Sequence, residues 1–132
     1  MYEREGLIFS PEECHRLVRL ATPLGLAPVG AEAYHTTGPG ETRTLFHPLL
    51  STYFPGEWIY TMLVILFPGM SLPIHTDGVP EQTRRHMVLK TNSGCWVHHD
   101  GSWQQLELGG VYRMDPMRPH GAINWGAEPR IH

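Results

Sequence analysis

Two side chains in the segment "LPIHTDG" have the types and the spacing of metal ligands: His75 and Asp77, with one residue between them. In an extended chain, alternate side chains leave the same face, so both can converge on one point while Thr76 turns away. His120 opens the run "PHGAINWG" and is the predicted third ligand. Two imidazoles and one carboxylate on one face of a metal, with other positions open, are typical of non-haem Fe(II) oxygenases. The same donors can also form a catalytic zinc site.

Arginines near these residues predict an anion site beside the metal. Arg130 follows His120 by ten residues, and an arginine on the next strand can point into the same cavity. A guanidinium binds a carboxylate through two parallel hydrogen bonds, so Arg130 is the expected partner of a dicarboxylate cosubstrate. In "TRRHMVL", Arg84 and His86 alternate along a strand and should face the same side, with Arg85 facing the other.

The other histidines lack a ligand pattern, although nine histidines are many for 132 residues. His98 and His99 flank a tight turn and are predicted to be exposed to solvent. His15 falls on a helix, and His35 and His47 fall in loops.

The elements that must position these groups begin with one helix. Ser10 is the predicted N-cap, Pro11 takes the first helical position, and Glu13 completes a capping box. The following stretch, Pro23 to Thr42, is rich in Gly, Pro and Thr, and is predicted to be either a loop over a site or a solvated connection. Its most flexible portion is "HTTGPGETR".

The rest of the chain has the pattern of short strands. Trp58 to Phe67 is an apolar, β-branched run that predicts a buried strand, stopped by Pro68-Gly69. Further short runs are separated by turn signals, and "HHDGSW" predicts a hairpin because Asp-Gly favours a tight primed turn. An N-terminal helix followed by six or seven strands predicts a mainly β domain, a small barrel or jelly roll, spanning residues 1–132.

Composition limits the partners. The formal charge is −3 and the ten Lys and Arg residues are scattered, so a nucleic-acid partner is disfavoured. Two cysteines are too few for a disulfide scaffold, and no signal peptide is visible, which predicts a cytoplasmic protein. The longest apolar run has ten residues, too few to cross a bilayer as a helix.

From about Trp58 onward the sequence resembles the 2-oxoglutarate and Fe(II)-dependent oxygenases, and within them the aspartyl/asparaginyl β-hydroxylase branch. The resemblance rests on several linked motifs in the family's order: "FPGMSLPIHTDG", "RRHMVL", "LGGVYRMD", "PHGAINWG" and "PRIH". The N-terminal "FSPEECHRLV" is similar to the opening helix of many such enzymes. The resemblance implies a double-stranded β-helix, which is the cupin-like jelly roll.

The resemblance also implies roles and cofactors. His75, Asp77 and His120 would bind Fe(II), Arg130 would anchor 2-oxoglutarate, and Arg84 with His86 would help to hold it. Dioxygen would be the oxidant, and succinate and carbon dioxide the coproducts of hydroxylation at a C–H bond. The branch acts on peptidyl Asp or Asn or on free amino acids such as proline, which favours a small amino-acid-like or peptide substrate.

Two features bear on these implied roles. Some members of the branch carry glycine where this chain has Asp77, and a carboxylate there argues against a halogenase. The chain stops two residues after Arg130, so the last strand is expected to be very short.

Substrate contacts are harder to assign from the sequence. Trp125 shares a short run with His120 and is a candidate substrate contact, with a core position as the more common role of such a residue. The segment "HTTGPGETR" could close over the mouth, or be plain surface. His99, Asp100 and Trp103 are weaker candidates for the rim of the pocket.

Two other functional classes remain open on the sequence. A non-catalytic cupin-type module that binds a metal or a small carboxylate explains the strand pattern equally well. A zinc hydrolase could use the same ligands, but no general base is evident near them.

Overall fold

The computed structural model describes residues 2–21, 28–29, 32–36, 62–78 and 84–132. These residues form one helix and eleven short strands. In chain order they are β1 (Glu3–Ile8), α1 (Pro11–Ala21), β2 (Pro28–Val29), β3 (Glu32–Thr36), β4 (Met62–Leu66), β5 (Ser71–His75), β6 (Arg84–Met87), β7 (Cys95–His99), β8 (Ser102–Gln104), β9 (Gly110–Met114), β10 (His120–Asn124) and β11 (Arg130–Ile131).

The strands form three antiparallel sheets. Their orders are β1-β9-β6, β5-β10-β7-β8 and β11-β4-β3-β2. Several neighbours are far apart in sequence, so the chain crosses between sheets rather than simply folding back as hairpins. The predicted mainly β architecture with an N-terminal helix is confirmed.

One apolar cluster joins the three sheets. It is formed by buried side chains from each of them and from the adjoining segments: Tyr2, Leu66, Val88, Val97, Leu106, Tyr112, Met114 and Ala122, with Met70 and Leu72 packed against it. Burial of these apolar side chains away from water is what holds the sheets against one another.

The N-terminal helix begins where the capping signals predicted. The Ser10 hydroxyl accepts a hydrogen bond from the Glu13 backbone N–H at 3.1 Å and lies 3.2 Å from the Glu13 carboxylate. These contacts satisfy one of the N–H groups that the first helical turn leaves open. The helix packs through Cys14 and Leu17, which are buried, and leaves His15 exposed.

Three strands lie where the sequence predicted none. β1 precedes the helix, and β2 and β3 fall within the stretch that was predicted to be a loop. Charged β1 carries little strand signal, but Glu3 pairs with Arg113 of β9 at 2.6 Å and Glu5 with Arg85 of β6. Strand pairing with distant partners therefore overrides the local composition. Residues 37–43 of "HTTGPGETR" lie outside the described residues.

The central strand and the hairpin match their predictions. β4 occupies the second half of the predicted Trp58–Phe67 strand, whose residues 58–61 lie outside the described part, and a turn follows at Pro68-Gly69. Between β7 and β8, Asp100 and Gly101 have positive φ values of 49° and 91°. Two successive positive φ angles define the primed turn that Asp-Gly favours.

Asn124 fixes the end of β10 to two other parts of the fold. Its fully buried side-chain amide donates hydrogen bonds to the Leu66 carbonyl at 2.9 Å and to the Glu128 carbonyl at 2.8 Å. The amide oxygen accepts from the Gly126 N–H at 3.0 Å. Asn124 thus ties β10 to β4 and shapes the turn that leads into β11.

Two further predictions concern the cysteines and the membrane. Cys14 and Cys95 are both buried free thiols, as expected from the low cysteine count. Among the described residues, no helix has the length and apolar character needed to cross a membrane.

Candidate metal centre

Two adjacent strands bring the predicted ligands together. In the antiparallel ladder of β5 and β10, His75 lies directly opposite His120. The register then shifts at Gly121, where a Cβ atom would lie only 2.8 Å from the Leu72 carbonyl oxygen. The absence of a side chain at Gly121 therefore allows the close approach of β5 and β10 beside the two histidines.

Asp77, just past the end of β5, completes the group. Its Oδ1 lies 3.5 Å from His75 Nε2, and its Oδ2 lies 3.2 Å from His120 Nε2. The three potential ligand atoms all lie within 4.8 Å of one another, and His120 is buried. The residues are thus close enough to bind one ion with small adjustments of their side chains.

Hydrogen bonds determine which imidazole nitrogens face the centre of the group. His75 Nδ1 lies 2.7 Å from the Pro73 carbonyl, and His120 Nδ1 lies 2.8 Å from the Arg118 carbonyl. A carbonyl only accepts, so each Nδ1 must donate, and in the neutral ring each Nε2 is left with a lone pair. This is the outer hydrogen bonding expected of metal-binding histidines.

The arrangement fits a cation. Two imidazole lone pairs and a carboxylate at 3.2–3.5 Å repel one another unless a positive charge lies between them. His120 Nε2 is also buried and has no hydrogen-bonding partner within the described part of the chain. A divalent ion bound by Nε2 of both rings and by the carboxylate would satisfy all three groups.

Asp77 is held as a carboxylate by its surroundings. Arg84 donates a hydrogen bond from Nη1 to Oδ2 at 2.7 Å, and the Asp77 N–H donates to the Pro116 carbonyl at 2.9 Å. Burial raises the pKa of Asp77, but the hydrogen bond and positive charge of Arg84 outweigh it and leave the pKa below its usual value. Burial lowers the pKa of His120, which favours the neutral ring that a metal needs.

Arg84 and Arg85 point to opposite sides of β6, as their alternation predicted. Arg84 faces the metal ligands, whereas exposed Arg85 pairs with Glu5 at 3.1 Å. His86 faces the interior again, where the edge of its ring contacts Tyr2. Arg84 and His86 therefore lie on the same side, next to the ligand group and the core.

Arg130 is buried on β11, with 5% of its surface exposed. The strand has only two residues, but it pairs with Leu66 and Ile65 of β4 on one side and forms a bridge to Lys90 on the other. This pairing fixes the backbone of Arg130.

Buried aromatic rings surround the charge of Arg130. Tyr2 contacts His86 at 5.3 Å and His99 at 5.5 Å between ring centroids, and His86 contacts His132 at 5.9 Å. Burial, opposed by the nearby arginines, raises the pKa of Tyr2 to about 12. Burial and the charge of Arg130 lower the pKa of His86 to about 3 and hold that of His132 well below its usual value. Both imidazoles are neutral, and the positive charges of Arg130 and Arg84 both act on His86 and Tyr2.

Two predictions of exposure and one of burial were wrong. His98 and His99 are buried, not exposed, at 8% and 6%. His99 faces inward opposite His120, where its Nε2 contacts the Asp115 carbonyl, and His98 is covered by the ring of Trp103 at 5.0 Å. Trp125 is not a core residue, because 76% of its surface is exposed.

The position of Trp125 bears on its predicted contact with substrate. It follows the last residue of β10, whereas His120 is the first. At about 3.3 Å per residue, the backbones of these two residues lie about 16 Å apart along the strand. That Trp125 contacts substrate stays a prediction, and its distance from His120 does not favour such a contact.

Sequence reasoning missed two residues in the buried group around Arg130. His132 lies two positions after Arg130, and the alternation that paired His75 with Asp77 and Arg84 with His86 was sufficient to find it. Tyr2 had no such signal, since it enters the core only because β1 pairs with β9.

Comparison with known proteins agrees with the geometry. A family model described as aspartyl/asparaginyl beta-hydroxylase matches residues 40–132, which include all three candidate ligands and Arg130. An L-proline cis-4-hydroxylase from Rhizobium meliloti (strain 1021) is 32% identical over 122 residues. That match covers 89% of this chain and 38% of the relative's length, so the chain corresponds to well under half of it. The family resemblance predicted from the motifs is confirmed, and the chain belongs to the aspartyl/asparaginyl β-hydroxylase family.

Proposed function

We propose that this chain is a non-haem Fe(II), 2-oxoglutarate-dependent hydroxylase of an amino-acid-like small molecule or a peptidyl residue. The observation that carries the proposal is the convergence of His75, Asp77 and His120 within 4.8 Å. Family membership and the related proline hydroxylase support hydroxylation as the reaction and proline as the first substrate to test.

The ligand set supports iron as the resident metal. Two neutral imidazoles and one carboxylate would occupy one face of the ion and leave its other positions open for cosubstrate and oxidant. When bound, Fe(II) with 2-oxoglutarate and dioxygen would supply the oxidising power for C–H hydroxylation, with succinate and carbon dioxide as coproducts. The chain's part is to hold the ligands, orient the cosubstrate and exclude water.

The positions of two arginines support a dicarboxylate as the cosubstrate. Arg84 lies on the metal side, because its Nη1 contacts the Asp77 carboxylate at 2.7 Å. Arg130 is buried beside Tyr2 and His86, whose pKa values both respond to its charge. We assign the far carboxylate of 2-oxoglutarate to Arg130 with His86, and the metal-bound end to the side of Arg84.

At the level of the fold, the three antiparallel sheets around one core support a double-stranded β-helix as the topology. We propose that residues 1–132 form a single oxygenase-like domain of this type. The crossovers between distant strands, such as β10 between β5 and β7, are the feature that favours a jelly roll over a simple meander.

Succinate formation tests the proposed function. The purified chain is supplied with Fe(II), 2-oxoglutarate and air, and succinate is measured with L-proline, other free amino acids and Asp- or Asn-containing peptides. The His75→Ala variant should lose turnover because a metal ligand is gone. The matched control is His15→Ala, which removes an exposed helical histidine and should leave turnover unchanged.

The outcomes separate the alternatives. Succinate that depends on Fe(II) and His75 supports the enzyme. Binding of 2-oxoglutarate without any turnover would refute it and favour the non-catalytic binding module. Hydrolysis that depends on zinc, without succinate, would favour the hydrolase.

A further inference from the structure

Two ring nitrogens in the group around Arg130 have no hydrogen-bonding partner among the described residues. His86 Nε2 and His132 Nδ1 are inaccessible to solvent, although each residue as a whole is only partly buried, and within the described part of the chain neither nitrogen has a partner. A buried polar atom left unsatisfied costs about 1–3 kcal/mol. Two such atoms so close together indicate that a ligand with hydrogen-bonding capacity completes the site.

The two nitrogens belong to rings that contact each other. The His86 and His132 rings are 5.9 Å apart between centroids and nearly perpendicular, at 82°. His132 leaves the same side of the chain as Arg130, since the two residues alternate. Its backbone is fixed, because N–H and carbonyl of His132 both hydrogen bond to Val64 at 3.1 and 3.0 Å. The ring of His132 is thus held against His86 by strand pairing.

The charges of the group match an anion. Arg130 is the cation beside these rings, and both imidazoles remain neutral because burial and that charge lower their pKa values. A neutral imidazole carries one N–H, which can be placed on either nitrogen. A carboxylate entering here would meet the Arg130 guanidinium and two neutral N–H donors, in a region where the positive charge of Arg84 also acts on His86.

We propose that His132 is a cosubstrate-binding residue, which donates its Nδ1–H to the same carboxylate that Arg130 binds. This inference rests on the proposed function, and it extends the anion site from Arg130 and His86 to a third donor on the strand of Arg130. The carboxylate would satisfy both buried nitrogens, and the three donors together would select cosubstrates that have a carboxylate at this end.

Two substitutions at His132 separate hydrogen bonding from packing. His132→Phe fills the volume of the ring but removes the donor, whereas His132→Asn keeps an N–H near the position of Nδ1. The control is His98→Phe. His98 is another buried histidine whose Nδ1 has no partner among the described residues, but it packs against Trp103 in the β7–β8 hairpin, whereas His132 pairs with β4.

The assay measures binding, not turnover. Titration calorimetry with the Zn(II)-loaded chain compares 2-oxoglutarate with pyruvate, which has the same keto-acid end but no far carboxylate. A hydrogen bond to a charged group implies that His132→Phe weakens 2-oxoglutarate binding by about 10- to 100-fold. Pyruvate binding should be unchanged, His132→Asn should recover most of the 2-oxoglutarate affinity, and His98→Phe should bind both as the parent does.

Two results would overturn the inference without affecting the proposed function. One is an unchanged affinity of His132→Phe for 2-oxoglutarate. The other is an equal loss of affinity for pyruvate, which would show that His132 has a purely structural role. No binding of 2-oxoglutarate to the parent would instead refute the proposed function. If His132→Phe fails to fold, ¹⁵N NMR of the parent's histidines decides, because 2-oxoglutarate must shift the His132 Nδ1 resonance. An unaffected resonance refutes the role.

Discussion

Replacing Gly121 by Ala tests whether the close approach of β5 and β10 holds the metal ligands in place. The new Cβ would lie 2.8 Å from the Leu72 carbonyl oxygen and 3.2 Å from the backbone N and Cα of Ile74. Ordinary contacts begin at 3.4 Å, so the strands must separate by about 0.6 Å, the difference between 3.4 and 2.8 Å. All the obstructing atoms are backbone, so no side chain can rotate to relieve them.

That separation should lower both stability and metal affinity. Overpacking of this kind costs about 1–3 kcal/mol, which for a chain of this size lowers the melting temperature by roughly 3–15 °C. His75 moves with β5 and His120 with β10, so their ligand atoms are displaced relative to each other. We expect metal affinity to fall roughly tenfold or more, as it does when residues that orient metal ligands are lost.

Thermal melting of the metal-free chain and calorimetric titration with Co(II) provide the two measurements. The matched control is Gly6→Ala in β1, where a Cβ would meet no atom within 4 Å. A Gly121→Ala variant with the melting temperature and Co(II) affinity of the parent would refute the reasoning. Loss of stability in both variants would point to a general effect of alanine in strands, not to the contact between β5 and β10.

Three other predictions concern charge and burial. Replacing Arg84 by Gln removes the cation that lowers the pKa of Asp77, so ¹³C NMR of the metal-free chain should show that pKa rising, and an unchanged value would contradict the contact at 2.7 Å. The pKa of His86 is 6.5 in the unfolded chain and about 3 in the folded chain, so the free energy of unfolding should be highest above pH 6.5 and fall as the pH decreases toward 3. Denaturation at several pH values measures this decrease, which should be smaller in His86→Gln. Asn124→Ala leaves the buried Leu66 carbonyl without the Asn124 donor, whereas the exposed Glu128 carbonyl keeps the Asn92 amide, so the loss in urea denaturation should be about 1–3 kcal/mol. A smaller loss would mean that Asn124 does not fix β10 to β4.

The candidate metal ligands could be selected from the sequence because their geometry is local. His75 and Asp77 need only an extended backbone to converge, and the same holds for Arg84 and His86. Choosing His120 as the third ligand required knowing which later strand pairs with β5. The order of the family's motifs indicated that strand. The register that places His120 opposite His75 is a property of the sheet and is visible only in the structure.

The errors came from contacts between side chains of different strands. His98 and His99 flank a tight turn, where residues are usually exposed, but the rings of Trp103 and Tyr2 pack against them. β1 and β3 carry little strand signal of their own and exist because β9 and β4 provide partners. Burial and edge pairing of this kind depend on the assembled fold, which a local pattern does not contain.

Three pairs with one intervening residue supply most of the proposed site: His75 with Asp77, Arg84 with His86, and Arg130 with His132. Within a pair, inserting or deleting a single residue would turn one member away from the interior, whereas many substitutions of the intervening residue would leave both in place. Between pairs, the connecting segments can change length as long as the strands still meet. Homologues with this chemistry are therefore expected to keep one intervening residue within each pair, while the segments between pairs vary in length. The spacing within the pairs is thus a better guide to such homologues than the distance between pairs.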